Sequence, residues 1–162
     1  MEALIRPFRP DDLDGLFVLD YRCYARPYRF GYQQLLLTLQ QPETSALVIE
    51  AAGEEDGSRG DVIGGLIVRG RPLEREAAVI SLMVAPEQRR LGLGTRMLQW
   101  ALDFARNSQW TVLTVPVEQN NAAALAFLGA NGLTDSGVAE PYYASPEVGT
   151  LWRLPLEEPR RS

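Results

Sequence analysis

The chain has 162 residues with 21 acidic and 16 basic side chains, a formal charge of −5, and every basic residue is arginine. That length suits one domain burying about two-thirds of its unfolded surface, and the acidic balance excludes a general nucleic-acid binder, which needs a basic face. Without histidine or lysine, and with Cys23 as the single cysteine, there is no Ser-His-Asp triad, Cys-His pair, Schiff-base lysine, multi-Cys or His zinc site, or intrachain disulfide. No metal is expected, and acid–base work falls to carboxylates, tyrosines, water and backbone groups.

Leu4 to Phe8 reads as a first strand with Ile5 turned inward. Pro10, Asp11 and Asp12 mark a helix start, because proline suits the first turn and acids favour the positive end of the dipole. Leu13, Leu16, Phe17, Leu19 and Asp20 continue it along one face. The turn-rich stretch Cys23 to Arg29 follows, with Cys23 read as a small buried hydrophobe. A second helix is expected over Tyr32 to Gln40, carrying Leu35, Leu36 and Leu39. Ala46 to Ala52 and Val62 to Arg69 are strand runs around a solvated loop, Gly53 to Asp61. Ala77 to Val84 is almost wholly apolar, as in a central strand covered on both faces. Leu93, Met97, Leu98, Ala101, Leu102 and Ala105 are spaced as the core face of a helix over Leu93 to Arg106. Thr111 to Val117 is a β-branched strand, and an Ala-rich helix from Asn121 to about Asn131 ends at Gly132. Leu133 to Val138 and Gly149 to Leu154 close the domain as an antiparallel pair. The tail, residues 157–162, is charged, holds Pro159 and is expected to be flexible. No leader is apparent and no apolar run reaches the ~20 residues of a membrane span, so a cytoplasmic protein is expected.

Chemistry concentrates between the apolar strand and the helix after it, Val84 to Leu98. Gly92 and Gly94 let the backbone approach a ligand closely, and the unpaired N–H groups of the helix starting there make an anion cradle. Arg89, Arg90 and Arg96 add charge suited to a pyrophosphate. A Walker A loop needs a lysine and is excluded. A dinucleotide fingerprint needs three glycines after the first strand of a βαβ unit, and here the glycines lie mid-chain.

Arg89-Arg90-Leu91-Gly92-Leu93-Gly94 resembles the coenzyme A signature of the GNAT acyltransferase superfamily, Gln/Arg-x-x-Gly-x-Gly/Ala, with Arg90 where glycine is commonest. A second block, Asn121, Ala124, Phe127, Leu128, Gly132 and Leu133, resembles the family's Asn-x-x-Ala-x-x-Leu-Tyr-x-x-x-Gly-Phe helix. The resemblance spans most of the chain and implies one α/β (α+β) domain over residues 1–156. Its sheet would be mixed, mostly antiparallel, of about seven strands with about four helices, splayed between the fourth and fifth strands. Within the superfamily the chain is most similar to the RimI-type N-terminal protein acetyltransferases, through Arg26-Pro27-Tyr28 and the pair Tyr142-Tyr143.

The resemblance implies acetyl-CoA as cosubstrate. Backbone groups of Leu82, Met83 and Val84 would hold the pantetheine, and N–H groups of Arg89, Arg90, Leu91, Gly92, Leu93, Gly94 and Thr95 the pyrophosphate. Asn121 would bond the pantetheine or order a water; it also reads as a helix N-cap. Tyr28, Tyr142 and Tyr143 would flank an incoming peptide. Two departures stand out: the family's proton-donating tyrosine is Leu128, and the RimI-type glutamate base falls on Pro116. Glu118, Tyr143 or a water chain is left for the proton work, Glu118 also reading as a solvated carboxylate at a strand end. The leading expectation is an N-acetyltransferase acting on a primary amine, a peptide or protein N-terminus first. The alternatives are a small-molecule amine acetyltransferase and a non-catalytic acyl-CoA sensor; a monomer or homodimer without nucleic-acid or membrane partners fits all three.

Overall fold

The structure, a computed structural model, describes residues 3–24, 29–52, 60–89, 91–118, 121–138 and 149–156. The elements follow the expected order: β1 (Ala3–Pro7), α1 (Leu13–Cys23), α2 (Tyr32–Leu39), β2 (Thr44–Ala51), β3 (Val62–Arg71), β4 (Glu76–Val84), α3 (Leu93–Asn107), β5 (Val112–Glu118), α4 (Ala122–Ala130), β6 (Thr134–Val138) and β7 (Gly149–Pro155). Short 3-10 turns at Pro10–Asp12, Pro72–Glu74 and Pro86–Gln88 join some of them. The seven strands form one sheet in the order β1-β2-β3-β4-β5-β7-β6. β4 and β5 run parallel, whereas β1–β2, β5–β7 and β6–β7 are antiparallel. Among the described residues no helix is long and apolar enough to cross a membrane.

Contacts divide the chain into two compact units, Met1–Ile67 with Ser81–Met97, and Val68–Ile80 with Leu98–Ser162. In the first, Leu16 and Leu19 of α1, Leu35 of α2, Leu47, Val48 and Ile49 of β2 and Met83 of β4 are all buried. A Cβ on Gly65 would stand 2.5 Å from the Leu16 side chain, so the bare glycine is what lets α1 pack this closely. Ile5, expected inward, is only half-buried; the buried residue of β1 is Arg6. Its guanidinium donates two bonds to Asp12, at 2.7 and 2.8 Å, and a third to Glu50 at 3.2 Å. Asp12 also accepts from the Arg9 N–H at 2.7 Å. Its acid therefore neutralises a buried cation as well as facing the helix start, and the Asp12 bond raises the Arg6 pKa.

In the second unit Leu98, Ala101, Leu102 and Ala105 of α3 meet a core that includes Leu113 of β5 and Leu128 of α4, as the helical spacing anticipated. Gly132, with φ +87°, ends α4 as expected, and the Leu133 N–H returns to the Leu128 carbonyl at 3.1 Å. β4 and β5 pair at Glu76↔Val112, Ala77↔Leu113 and Ala78↔Thr114. Those three positions are a short stretch of strands nine and seven residues long, the splay expected between the fourth and fifth strands. Beside it the Thr114 hydroxyl bonds the buried Glu76 carboxylate, which Arg71 also contacts at 3.2 Å.

Candidate active site

The loop between β4 and α3 has the geometry its glycines suggest. Gly92 has φ +79°, and a Cβ built there would meet nothing within 4 Å. The residue needs glycine for its backbone, and its face is open. The Arg96 N–H closes the first helical bond, to Gly92 O at 3.1 Å. The N–H groups of Leu93, Gly94 and Thr95 therefore have no partner inside the helix and lie at the positive end of its dipole. Leu93 is buried and anchors the turn, while Leu91 is 61 % exposed.

Just upstream, the phase of β4 follows from one bond. The Ala85 N–H donates to Ile63 O on β3 at 2.8 Å. Strand alternation then turns the backbone groups of Leu82 and Val84 to the opposite edge and those of Met83 toward β3. The two outward carbonyls are not bare. The Tyr24 hydroxyl donates to Leu82 O at 3.1 Å, the Cys23 thiol to Val84 O at 3.4 Å, and Arg89 Nε to Val84 O at 3.2 Å. Cys23 is thus half-buried with a polar partner, in place of the small buried hydrophobe expected. Burial pushes its thiol pKa up, and the neighbouring Arg89 guanidinium draws it partly back.

The end of α1 that supplies Tyr24 and Cys23 is itself fixed. Asp20, fully buried in α1, accepts from the N–H groups of Phe30, at 3.0 Å, and Gly31, at 3.3 Å. Gly31 is the N-cap of α2 and has no side chain to cap with; Asp20 instead ties down the two residues that lead into the helix. Burial raises the Asp20 pKa. Arg29 bonds Tyr24 O through Nε at 3.0 Å and lies 3.8 Å over the Tyr21 ring. Arg22 pairs with Glu87 in the turn after β4.

On β5 the ladder explains Pro116. The Leu156 N–H donates to Thr111 O at 2.8 Å, and the register with β7 runs unbroken from Val112↔Pro155 to Glu118↔Gly149. Odd-numbered residues therefore bond β7, and the missing N–H of Pro116 falls on the other edge, where the ladder does not need it. β5 reaches Glu118, whose backbone pairs with Gly149; its side chain lies outside the described residues. Asn121 is the N-cap of α4, its Oδ1 accepting from the Ala124 N–H at 3.1 Å. Leu128 is 3 % exposed, a core residue where the family carries its tyrosine.

Of the expected site residues, Leu82, Val84 and Arg89 are brought together, and Gly92 to Thr95 form the open turn that follows. Asn121 and Glu118 belong to the other unit. Arg90, Tyr28, Tyr142 and Tyr143 lie outside the described residues. Sequence reasoning missed Tyr24 and Asp20. Asp20 was legible only as a carboxylate on an otherwise apolar helix face.

The model of the acetyltransferase (GNAT) family matches residues 13–132. An N-alpha-acetyltransferase of Sulfurisphaera tokodaii is 29 % identical over 161 residues, 96 % of this chain and 94 % of that one. The ribosomal-protein-S18-alanine N-acetyltransferase from Escherichia coli superposes with a TM-score of 0.79 at 19 % identity, covering 98 % of this chain and 97 % of that one. The spermidine/spermine N-acetyltransferase SpeG from Vibrio cholerae does so with 0.69 at 14 %, covering 95 % and 92 %. These two likenesses speak for the fold, and the family match, which reaches from α1 through the glycine turn to the end of α4, speaks for the chemistry. The chain belongs to the GNAT family of acetyltransferases.

Proposed function

We propose that this enzyme transfers the acetyl group of acetyl-CoA to the α-amine of a peptide or protein by direct attack of the amine on the thioester. The observation that carries the reading is the open, left-handed Gly92 at the start of α3, following a strand whose Leu82 and Val84 backbone groups face away from β3. The near full-length similarity to an N-alpha-acetyltransferase supports the acceptor class. An acidic chain without histidine or lysine leaves the pyrophosphate to backbone N–H groups from Arg89 to Thr95, with the Arg89 and Arg90 side chains as counter-charges. Arg89 would leave Val84 O to do so, exchanging one hydrogen bond for a charge-assisted one.

The pantetheine amides would bond Leu82 and Val84 as an added strand does, displacing the side chains now on those carbonyls, while Met83, whose backbone groups face β3, drops out of the expected set; the Asn121 amide N–H groups would bond the same arm. Holding both reactants in line supplies much of the rate, and a backbone N–H polarises the thioester carbonyl. Tyr28, Tyr142 and Tyr143 would flank the peptide, and Glu118, Tyr143 or a water chain would take the amine proton. Residues 1–156 form the catalytic domain in this reading, with 157–162 as a tail. A single free cysteine fits a cytoplasmic setting.

A second reading has its own support. Leu128 is buried and Pro116 is built into the β5 ladder, so a sensor that binds acyl-CoA without turnover would look the same in both places. Mass spectrometry of a mixed amine pool incubated with acetyl-CoA and the protein separates the readings: peptides with free N-termini, N-blocked peptides bearing lysine, polyamines and aminoglycosides. Acetylation of the free N-termini alone is the expected result. A polyamine or aminoglycoside product would move the acceptor to small amines, and tight acetyl-CoA binding with no product would favour the sensor.

A further inference from the structure

We propose that Tyr24 is the general acid that protonates the coenzyme A sulfur as the thioester breaks. This assignment rests on the acetyltransferase reading and adds a group that the family pattern does not supply at Leu128. The Tyr24 hydroxyl donates to Leu82 O at 3.1 Å, on the β4 edge that faces away from β3. A chain lying along that edge as an added strand would run roughly 4.8 Å from β4, within reach of a hydroxyl that now sits in hydrogen-bond contact with the edge itself. When a pantetheine amide takes Leu82 O, the phenol gives up that bond and its proton can pass to another acceptor on the edge. The thiolate leaving from the same edge is such an acceptor.

The hydroxyl is held for this task from behind. Tyr24 N–H caps α1 on Asp20 O at 3.0 Å, and its own carbonyl receives Arg29 Nε at 3.0 Å. The backbone is thus fixed on both sides of Tyr24, and the hydroxyl is placed at the strand edge by its own bond to Leu82 O. The other two donors on the edge serve less well: Arg89 Nε and the Cys23 thiol are both aimed one residue pair along, at Val84 O. An ordinary phenol titrates near about 10 and an ordinary thiol near about 8.5, close enough for transfer at low cost. The balance closes as follows: the amine nitrogen bonds the acetyl carbon, the carbon–sulfur bond breaks, Tyr24 gives its proton to sulfur, and the proton released by the amine returns through solvent to the phenolate.

The test pairs turnover with a measurement that needs none. In Tyr24→Phe, kcat should fall about tenfold to a hundredfold, its alkaline limb should disappear, and KM for acetyl-CoA should stay within about twofold. Separately, free CoA bound to the protein is titrated by the ultraviolet absorbance of its thiolate. The wild-type protein should hold the thiol at a lower pKa than Tyr24→Phe, because the phenol donates to the thiolate. An unchanged thiol titration, a loss that appears only as a raised acetyl-CoA KM, or a kcat loss confined to Tyr143→Phe would overturn the assignment. If no amine is acetylated by any form, the acetyltransferase reading fails while the CoA titration still decides where the Tyr24 hydroxyl points.

Discussion

Two carbonyls on the outward edge of β4, those of Leu82 and Val84, collect three side-chain donors, from Tyr24, Cys23 and Arg89. The outward edge of β5 gives up one of its own donors at Pro116. An edge covered by exchangeable side-chain donors can pass its carbonyls to an incoming amide chain for little net change, since one hydrogen bond replaces another. An edge with a proline cannot host an added strand at that point. The proposed pantetheine contacts accordingly rest on the β4 carbonyls.

The harshest way to break the comparison is at the turn that continues the β4 edge. Gly92→Val places a β-branched residue at φ +79°, which costs about 1–2 kcal/mol in the left-handed region, and puts a side chain on the open face of the cradle. Acetyl-CoA affinity should fall about a hundredfold or more, the equivalent of at least two factors of ten at about 1.4 kcal/mol each, with the fold retained. Isothermal titration beside a thermal melt would check it; wild-type affinity in a folded variant would remove the cradle.

Next in size is the contrast along β5. Val115→Pro deletes an N–H that bonds β7 and leaves a buried carbonyl unpaired, so it should cost about 1–3 kcal/mol. Pro116 is buried as well, so Pro116→Ala, which keeps every β7 bond but trims the ring and adds an N–H the ladder does not use, should cost less, about 1 kcal/mol. Denaturant unfolding of the two variants gives the difference directly. Equal losses would mean that the phase of the ladder is misassigned.

How far these features could be read from sequence depended on range. The glycine turn and α3 are local: the spacing of Leu93, Met97, Leu98, Ala101, Leu102 and Ala105 determines a helix face, and Gly92 stands where a backbone must turn left-handed. The ties between distant segments were not legible. Arg6 reaches Glu50 across 44 positions and Tyr24 reaches Leu82 across 58, and no periodicity specifies such a choice. Asp20 sat on an apolar helix face and was counted with it, because a pattern of burial does not say which N–H groups will meet a buried carboxylate. Pro116 was visible as a lost glutamate, but the edge its missing N–H faces needs the phase of a ladder. Asn121 read both as a cap and as a ligand; the cap is present, and the two roles use different atoms of one amide.

Asp20 sharpens the comparison from behind, since it anchors the helix whose end covers the β4 edge. Its pKa is raised in the fold, chiefly by burial. Between the unfolded value and the raised folded value the native state binds more protons than the unfolded one, so this residue's contribution to stability falls as pH rises through that window. Asp20→Asn keeps an acceptor for the Phe30 and Gly31 N–H groups and removes the titration. The stability difference between variant and wild type should therefore shift toward the variant as pH climbs from about 4 to neutrality. Denaturant midpoints across that range measure it, and a pH-independent difference would show that the Asp20 carboxyl is not desolvated.

The smallest effect concerns the third donor. Cys23 has its thiol pushed above the ordinary range by burial and pulled partly back by Arg89. Only the thiolate alkylates, so the rate of reaction with iodoacetamide should rise through a midpoint above that of an ordinary thiol. Arg89→Ala removes the cation that favours the thiolate, and the midpoint should move higher still, although the same change uncovers the sulfur and raises the limiting rate at high pH. Midpoint and limit thus move in opposite senses for reactivity at neutral pH, and the full pH profile separates them. A midpoint that falls in Arg89→Ala would mean that Arg89 does not face Cys23, and one of the three donors on the β4 edge would have to be reassigned.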